Sequence, residues 1–465
     1  MNFILKRVCL VFTFLFIFIS LLLAQPKDRE AAKTEYPMFW TWLDYRPDAN
    51  FDSICRAMNF LGIDGLLLNA PSPQAYRNAI PIAKKYGIEV YAWLWTMNLE
   101  HDRERILKAH PDWFEVNRNG ASLADSMAYV GYYKFLSPVL PEVRNYIKEK
   151  IEEYTSIDGL NGIAIDYHRY VDVVLPTTLW PKYGIVQDRE YAAWDYGYHP
   201  EAIKKFKAAY GYDPRAQTDP STDLNWRQFR CDQITEVANL IAETVHKSGK
   251  IMAASPFPTP KMSSRMVRQD WGKWNLDIVF PMVYSNFYTE DVSFISDCTL
   301  ENVRDKKAET TLYCGLMASN SSKILADMDA ALRSGAQGVA IFTVHAIKDP
   351  QLKADFRAFT SQAKAVRAAN KGVMPLDKTI ELEVDPFKKP GVMKLVERKI
   401  QQLIAADRLT DDIPVIQLSD YTDAGSYDVT KRYLVSEKNT GKQFYVTFYF
   451  YGGILSGWNV DAING

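Results

Sequence analysis

The chain has 465 residues, a formal net charge of -1 and 24% charged residues. That length exceeds a single ordinary core, so one large and one small domain are expected, and the balanced charge argues against nucleic-acid binding, which shows as a basic excess. Aromatic residues reach 13%, with 11 Trp and 27 Tyr, a surplus that serves either an aromatic-rich core or a surface on which sugar rings stack.

At the N-terminus, Lys6 and Arg7 precede an uncharged apolar run, 8–24, that ends in Ala24 before Gln25, Pro26 and a charged stretch. This pattern predicts a signal peptide, residues 1–24, with cleavage after Ala24. An uncleaved anchor is the alternative, because the run approaches the length of a spanning helix. No Cys follows the run, so no lipoprotein site is expected. Cys55, Cys231, Cys298 and Cys314 are widely spaced and form no C-x-x-C pair, which argues against zinc and for free buried thiols.

From Pro37 onward, short apolar runs alternate with helical patterns. Strands are predicted at 38–43, 65–69, 89–96, 162–166, 251–255, 277–284, 311–317 and 338–344. Helices are predicted at 51–61, 75–86, 141–154, 200–210, 225–248, 322–334 and 351–369. Gly87 is a helix-stop residue and Pro141 sits at a favoured first-turn position. Eight strands alternating with helices predict a (β/α)₈ TIM barrel over residues 37–370. The open doubly wound sheet is disfavoured, because no glycine-rich phosphate loop follows the first strand. The longest excursions follow strands three and four, which places a cleft on that side of the barrel mouth.

Beyond Lys371 the pattern changes. A helix at 388–405 and strands at 415–418, 431–437 and 443–451 are predicted, the last two flanking the hairpin turn Lys438-Asn439-Thr440-Gly441. This is a small α+β C-terminal domain, 375–465, with an accessory role as its default.

The strongest candidate site is Gly162-Ile163-Ala164-Ile165-Asp166-Tyr167-His168-Arg169-Tyr170. Side chains alternate across a strand, so Asp166 shares the inward face of Ala164 at the strand's C-terminal end. A carboxylate there needs a partner or water; His168 and Arg169 are the candidate partners. A neighbouring cation depresses a carboxylate pKa, so Asp166 is expected to act as an anion, nucleophile or charge stabiliser, more than as a general acid. The alternative is a buried structural salt bridge.

Hydrolysis of a glycosidic bond usually needs a second carboxyl group. Asp44 ends strand one; Asp172, Asp188, Glu190 and Asp195 follow strand four; Glu290 and Asp291 follow strand six. Asp44 and Glu290 rank first, and for each of these acids a solvated loop charge is the alternative reading. Strand seven carries no acid near its end. Trp40 and Trp42 share a face of strand one, and Tyr91, Trp93 and Trp95 a face of strand three; sugar stacking and plain core packing are both open to them. Met282 and Tyr284 share a face of strand six, Asn286 and His345 sit at the ends of strands six and eight, and Trp226 and Arg227 begin a helix that caps the site or merely packs. No histidine spacing suits a metal, and Ser255 and Ser285 lack a nucleophile-elbow context.

Several segments together carry a family resemblance. They are Lys85-Tyr86-Gly87-Ile88-Glu89-Val90-Tyr91-Ala92-Trp93, His110-Pro111-Asp112-Trp113, Pro141-Glu142-Val143-Arg144 and Asp158-Gly159-Leu160. Ile165-Asp166-Tyr167-His168-Arg169-Tyr170, Trp226-Arg227, Ser255-Pro256-Phe257 and the run 277–284 complete the set. Over residues 37–347 the chain resembles the bacterial glycosyl-hydrolase-like family 10. The resemblance implies a (β/α)₈ barrel in exported or envelope proteins, action on glycans such as denuded peptidoglycan strands, and a central strand-four aspartate, here Asp166. Some members carry a second acid directly after that aspartate; this chain has Tyr167 there. The Met-x-Tyr of strand six is also similar to family 18 chitinases, which use the substrate's acetamido group as nucleophile, though their multi-acid strand-four motif is absent.

The expectation is thus an exported, monomeric glycoside hydrolase, periplasmic, envelope-bound or secreted, with Asp166 as its central carboxylate. Its partner is a polysaccharide, with N-acetylated sugars favoured because one well-placed acid and the substrate's own acetamide can suffice. No cofactor, metal or nucleic acid is expected, and contact with a membrane is expected only through the signal segment. A cationic His168–Arg169 pair is also expected to suit an acidic glycan. The alternative is a non-catalytic glycan-binding barrel.

Overall fold

Nine short strands run parallel in one sheet: β1 (Phe39–Asp44), β2 (Gly65–Asn69), β3 (Glu89–Trp95), β4 (Gly162–Asp166), β5 (Ile251–Ala254), β6 (Ile278–Val279), β7 (Thr311–Leu312), β8 (Cys314–Met317) and β9 (Val339–Phe342). Their order is β7-β6-β5-β4-β3-β2-β1-β9-β8. β7 and β8 are two halves of one stretch broken at Tyr313; the first half pairs with β6 and the second with β9. The two ends of the sheet therefore meet, and the ring closes as a (β/α)₈ barrel. The computed structural model describes residues 36–187, 189–288, 292–319 and 321–383, the isolated positions 394 and 398, and strands at 415–421, 429–436, 443–451 and 454–462. The expected signal segment lies outside these residues. Among them, no helix is long and apolar enough to cross a membrane.

The helices form because each start and stop is chemically marked. Asn50 accepts from the Ser53 amide at 3.0 Å ahead of Phe51–Phe60, a standard N-cap contact. Asp223 does the same for Leu224–Lys247, accepting from Asn225 and Trp226. Pro73 and Pro350 open the helices Pro73–Lys85 and Pro350–Ala369, where a missing N–H costs nothing. Strand six is shorter than the predicted 277–284 because Pro281 has no amide hydrogen to give to a ladder. The chain nevertheless stays seated, with Met282 N donating to Pro256 O and Gly315 N to Pro281 O, both at 2.8 Å.

Alternation sorts the strand residues into an outer and an inner set. Leu66, Leu68, Ile163 and Ile165 face the helices and are fully buried. The inner set begins with a floor of aromatic rings. Trp40 lies edge-on to Tyr91 at 4.7 Å and to Phe280 at 5.2 Å, and its indole N–H donates to Pro37 O at 2.7 Å. Such rings fit only because their neighbours are small: a Cβ on Gly65, in register with Trp40, would sit 2.2 Å from the indole, and one on Gly162, in register with Tyr91, would sit 2.9 Å from that ring. Trp42 lies one layer higher, edge-on to Phe342 at 5.9 Å. All four cysteines described, Cys55, Cys231, Cys298 and Cys314, are buried.

The C-terminal sheet has four antiparallel strands in the order β10 (Val415–Tyr421), β11 (Val429–Ser436), β12 (Gln443–Tyr451) and β13 (Ile454–Ala462). The helix predicted at 388–405 lies outside the described residues. β12 packs beside the helix Pro260–Val267, and β13 beside the turn Thr177–Leu179.

Candidate active site

The barrel mouth opens into a cavity of about 330 Å³, at the lower end of the size range for small-molecule sites. Its floor is Trp42, Trp93, Tyr284 and Phe342, and its walls include Trp95, Tyr132, Tyr133 and Tyr167 on one side and Leu179, Tyr183, Phe287 and Tyr288 on another. Asp166, Arg169, Asp172 and Lys182 supply charge. An apolar, aromatic lining with a few placed polar groups is what a sugar ring requires: flat faces for its C–H groups and a handful of directional contacts.

Asp166 ends β4 and is 6% exposed. The next residue, Tyr167, has φ 47, a left-handed conformation that costs a non-glycine residue about 1–2 kcal/mol. Its ring packs on Trp95, with centroids 4.2 Å apart, and against Tyr133 and Phe135, contacts that hold the bend. The bend aims the Tyr167 amide back at Asp166 Oδ1 at 2.6 Å. Trp93 Nε1 donates to Asp166 Oδ2 at 2.9 Å. Burial raises the Asp166 pKa to about 6; the Tyr167 amide, the Trp93 N–H and the Arg169 charge pull it down by less, and the Glu100 charge adds to the rise. The expectation that a neighbouring cation would depress this group is therefore corrected, because desolvation outweighs Arg169. Near pH 6 Asp166 both holds and releases a proton, the property of a general acid.

Arg169 is committed elsewhere. It pairs with Asp172 at 3.2 Å and donates to Tyr170 O at 2.8 Å. Its guanidinium carbon lies 5.0 Å from the ring centres of Tyr167 and Phe257. Burial works against its charge, yet Asp172 and the surrounding phenols more than compensate and hold it cationic. Asp172 also accepts from Tyr129 at 2.6 Å and Tyr133 at 2.9 Å. It is thus a paired cavity carboxylate and not the solvated loop charge of the alternative reading. Glu190 and Asp195 correct that reading too: both are fully buried, against Arg268 and Arg230 respectively. Asp188 lies outside the described residues.

Other candidates sort clearly. Trp42, Trp93, Trp95 and Tyr284 line the cavity. Burial, then the Asp166 charge, pushes the Tyr284 hydroxyl well above its ordinary value, so it stays a neutral donor close to Asp166. His168 does not line the cavity. It is 1% exposed, with Nε2 on Ile234 O at 3.0 Å and Nδ1 on Thr96 Oγ1 at 2.9 Å. Burial lowers its pKa to about 4, so the expected cationic His168–Arg169 pair is a neutral structural imidazole beside a cation. Trp40 belongs to the barrel floor. Trp226, 0% exposed, stacks on Phe229 at 5.5 Å in a cluster with Phe206 and Tyr198; packing, not capping, is its role. Asn286 is exposed on the short helix Ser285–Tyr288, outside the cavity. His345 borders a separate 150 Å³ hollow with Ile54, Met58 and Lys353. Glu290 and Asp291 lie outside the described residues.

Asp44 is exposed at the end of β1 and is not part of the cavity wall. Its Oδ1 accepts from Asn69 Nδ2 at 3.3 Å, and the same amide nitrogen lies 3.0 Å from both oxygens of Glu100. Asn69 stands in the inner row beside Trp93, the indole that reaches Asp166. Glu100 was not among the sequence candidates. The signal was its place five residues beyond Trp95, in the loop leaving strand three at the same rim as Asp166.

Fold and site together define a (β/α)₈ barrel with an aromatic cavity at the strand C-termini around a buried carboxyl group. The model of the family described as Glycosyl hydrolase-like 10 matches residues 70–179, from just after β2 through the loop beyond Asp166. No curated protein matches the chain. Solved structures with a similar course include the β-galactosidase of the psychrophilic Marinomonas ef1, at 12% identity and TM-score 0.47, covering 72% of this chain and 60% of that one. The α-galactosidase of Lactobacillus brevis follows at 10% identity and TM-score 0.44, covering 89% and 46%. A GH36 α-galactosidase variant of Geobacillus stearothermophilus in complex with raffinose stands at 9% and 0.42, covering 90% and 48%. The chain thus spans about half to three fifths of the length of these proteins, and no residue role is carried over from them.

Proposed function

We propose that this protein is an exported glycoside hydrolase that cleaves a polysaccharide containing N-acetylated sugars, with Asp166 as its proton donor. The observation that carries this proposal is the Asp166 carboxyl: buried at the barrel mouth, held by two hydrogen bonds, and raised to about 6 by burial. A carboxylic acid that holds its proton up to about pH 6 can protonate a leaving glycosidic oxygen in mildly acidic solution.

Asp172 is the other carboxyl group among the described cavity residues, and Arg169, Tyr129 and Tyr133 already engage it. An acetamido group on the substrate relieves the need for a second free carboxylate. In that scheme Asp166 gives its proton to the glycosidic oxygen while the acetamido carbonyl oxygen attacks the anomeric carbon and the leaving sugar departs. Asp166, now a carboxylate, then takes a proton from the water that opens the cyclic intermediate. Tyr284, a neutral phenol close to Asp166, suits the role of donor to the carbonyl oxygen. The basic start and apolar run 6–24 support export.

The engagement of Asp172 also supports a second reading, a glycan-binding barrel without catalysis. Release of reducing ends from a panel of bacterial and host glycans, with retention on glycan-bearing affinity gels measured alongside, separates the two. Turnover of N-acetylated chains is expected; retention without turnover would replace hydrolysis by binding.

A further inference from the structure

The segment that follows Asp172 forms one wall of the cavity, with Leu175, Pro176, Leu179, Lys182 and Tyr183. Its regular structure is only the turn Thr177–Leu179 and the four-residue helix Trp180–Tyr183. Elements this short have too few backbone hydrogen bonds to hold their own shape. Something outside the segment must therefore fix the wall.

Trp180 sits in the middle of the wall, and its indole N–H donates to Leu175 O at 3.0 Å, which folds the segment on itself. The ring then stacks on Trp458 of β13, with centroids 5.8 Å apart and planes 14° from parallel. Trp458 is in register with Phe448 on β12, and cross-strand partners project from the same face. Phe448 is fully buried, as are Val446 and Phe450 two residues to either side. The C-terminal sheet thus turns an apolar face toward the barrel and ends it, at β13, on the indole that organises the cavity wall.

We propose that the C-terminal sheet is a working part of the glycan site: Trp458 is a positioning residue that sets the 175–183 wall of the cavity through Trp180. This rests on the proposed glycan activity and adds to it a role for the accessory domain. Substrate affinity should then depend on a residue that touches no substrate, and the two tryptophans should act as one unit.

The test is a double-mutant cycle in the full chain with Trp458→Ala, Trp180→Ala and the pair, read as KM and kcat on the cleaved glycan and as retention on the same glycan gel. Each single variant should raise KM about three- to tenfold, the size of one aromatic contact, with kcat little changed. The double variant should be no worse than Trp180→Ala alone, because the stacking contact is lost once. Trp458→Phe should restore most of the affinity. Exciton-coupled circular dichroism from the stacked indoles should vanish in all three alanine variants, which checks the pairing where a variant is poorly stable. Unchanged KM and retention in both single variants would overturn the proposal, as would additive losses. Wild-type protein that neither cleaves nor retains any glycan would overturn the functional proposal itself, a result distinct from either.

Discussion

Replacing Asp166 by Asn should make the protein more stable relative to wild type as pH rises, while lowering its activity on the native glycan. The carboxyl sits at 6% exposure and its pKa moves from an ordinary value near 4 to about 6, chiefly through burial. Because the group binds its proton more tightly in the fold than in the unfolded chain, its contribution favours folding below about pH 4 and is lost as pH rises through 6. Above that range the ionised group costs the fold about 3 kcal/mol. Asn does not titrate, so it removes this cost. It also has one carbonyl oxygen for two donors, Tyr167 N and Trp93 Nε1, which leaves one buried donor unpaired at about 1–3 kcal/mol, independent of pH. The stability of Asp166→Asn relative to wild type should therefore improve by about 3 kcal/mol between about pH 4 and pH 8, whatever its absolute value. Urea unfolding at intervals across that range measures it. A difference constant with pH, or one that swings the other way as a carboxylate held anionic by Arg169 would give, refutes the placement of Asp166 as a desolvated acid.

Two neighbours should move the activity profile in opposite directions. An acid must be protonated to work, so the Asp166 pKa sets the basic limb of kcat/KM. Glu100→Gln removes a like charge that raises it, and the limb should shift to lower pH; Trp93→Phe removes a hydrogen bond that favours the anion, and the limb should shift to higher pH. Arg169→Met strands Asp172, which is 2% exposed, without its cation, and should cost about 3–5 kcal/mol in denaturant unfolding. Trp226→Ala should cost about 3–5 kcal/mol through the cavity it leaves among Phe206, Phe229 and Tyr198, yet leave glycan retention of the folded protein unchanged.

Much of the barrel was legible because the signals are local. The strand at 162–166 and the helix at 200–210 fall where periodicity, glycine and proline put them. The helices Pro260–Val267 and Val292–Asp305 went unread, although Thr259 caps the first by accepting from Met262 N at 3.2 Å. The fourth strand of the C-terminal sheet was also missed; Gly457 in the middle of β13 weakens its strand pattern.

At the site, alternation alone put Asp166 on the inner face, and the same rule chose Trp42, Trp93 and Trp95. It could not tell Trp40 from Trp42, which share that face and differ only in depth along the barrel. Nor could it tell whether Arg169 or desolvation governs Asp166, since that depends on Asp172 and Tyr133 drawing the guanidinium away. His168 was misplaced for a similar reason: two residues past Asp166 the strand has ended, Tyr167 has turned left-handed, and strand parity no longer applies.

The central claim is that Asp166 delivers a proton to the leaving oxygen, and the most direct test varies how much the leaving group needs one. Wild type and Asp166→Asn would be compared on the native glycan and on an aryl glycoside of the same sugar whose phenol leaves without protonation. The predicted result is a loss of about 10²–10⁴-fold on the native chain and a near-wild-type rate for the first-turnover burst of phenol, the step that precedes the opening of the intermediate by water. Equal losses on both substrates, or full activity of Asp166→Asn on the native chain, would contradict it.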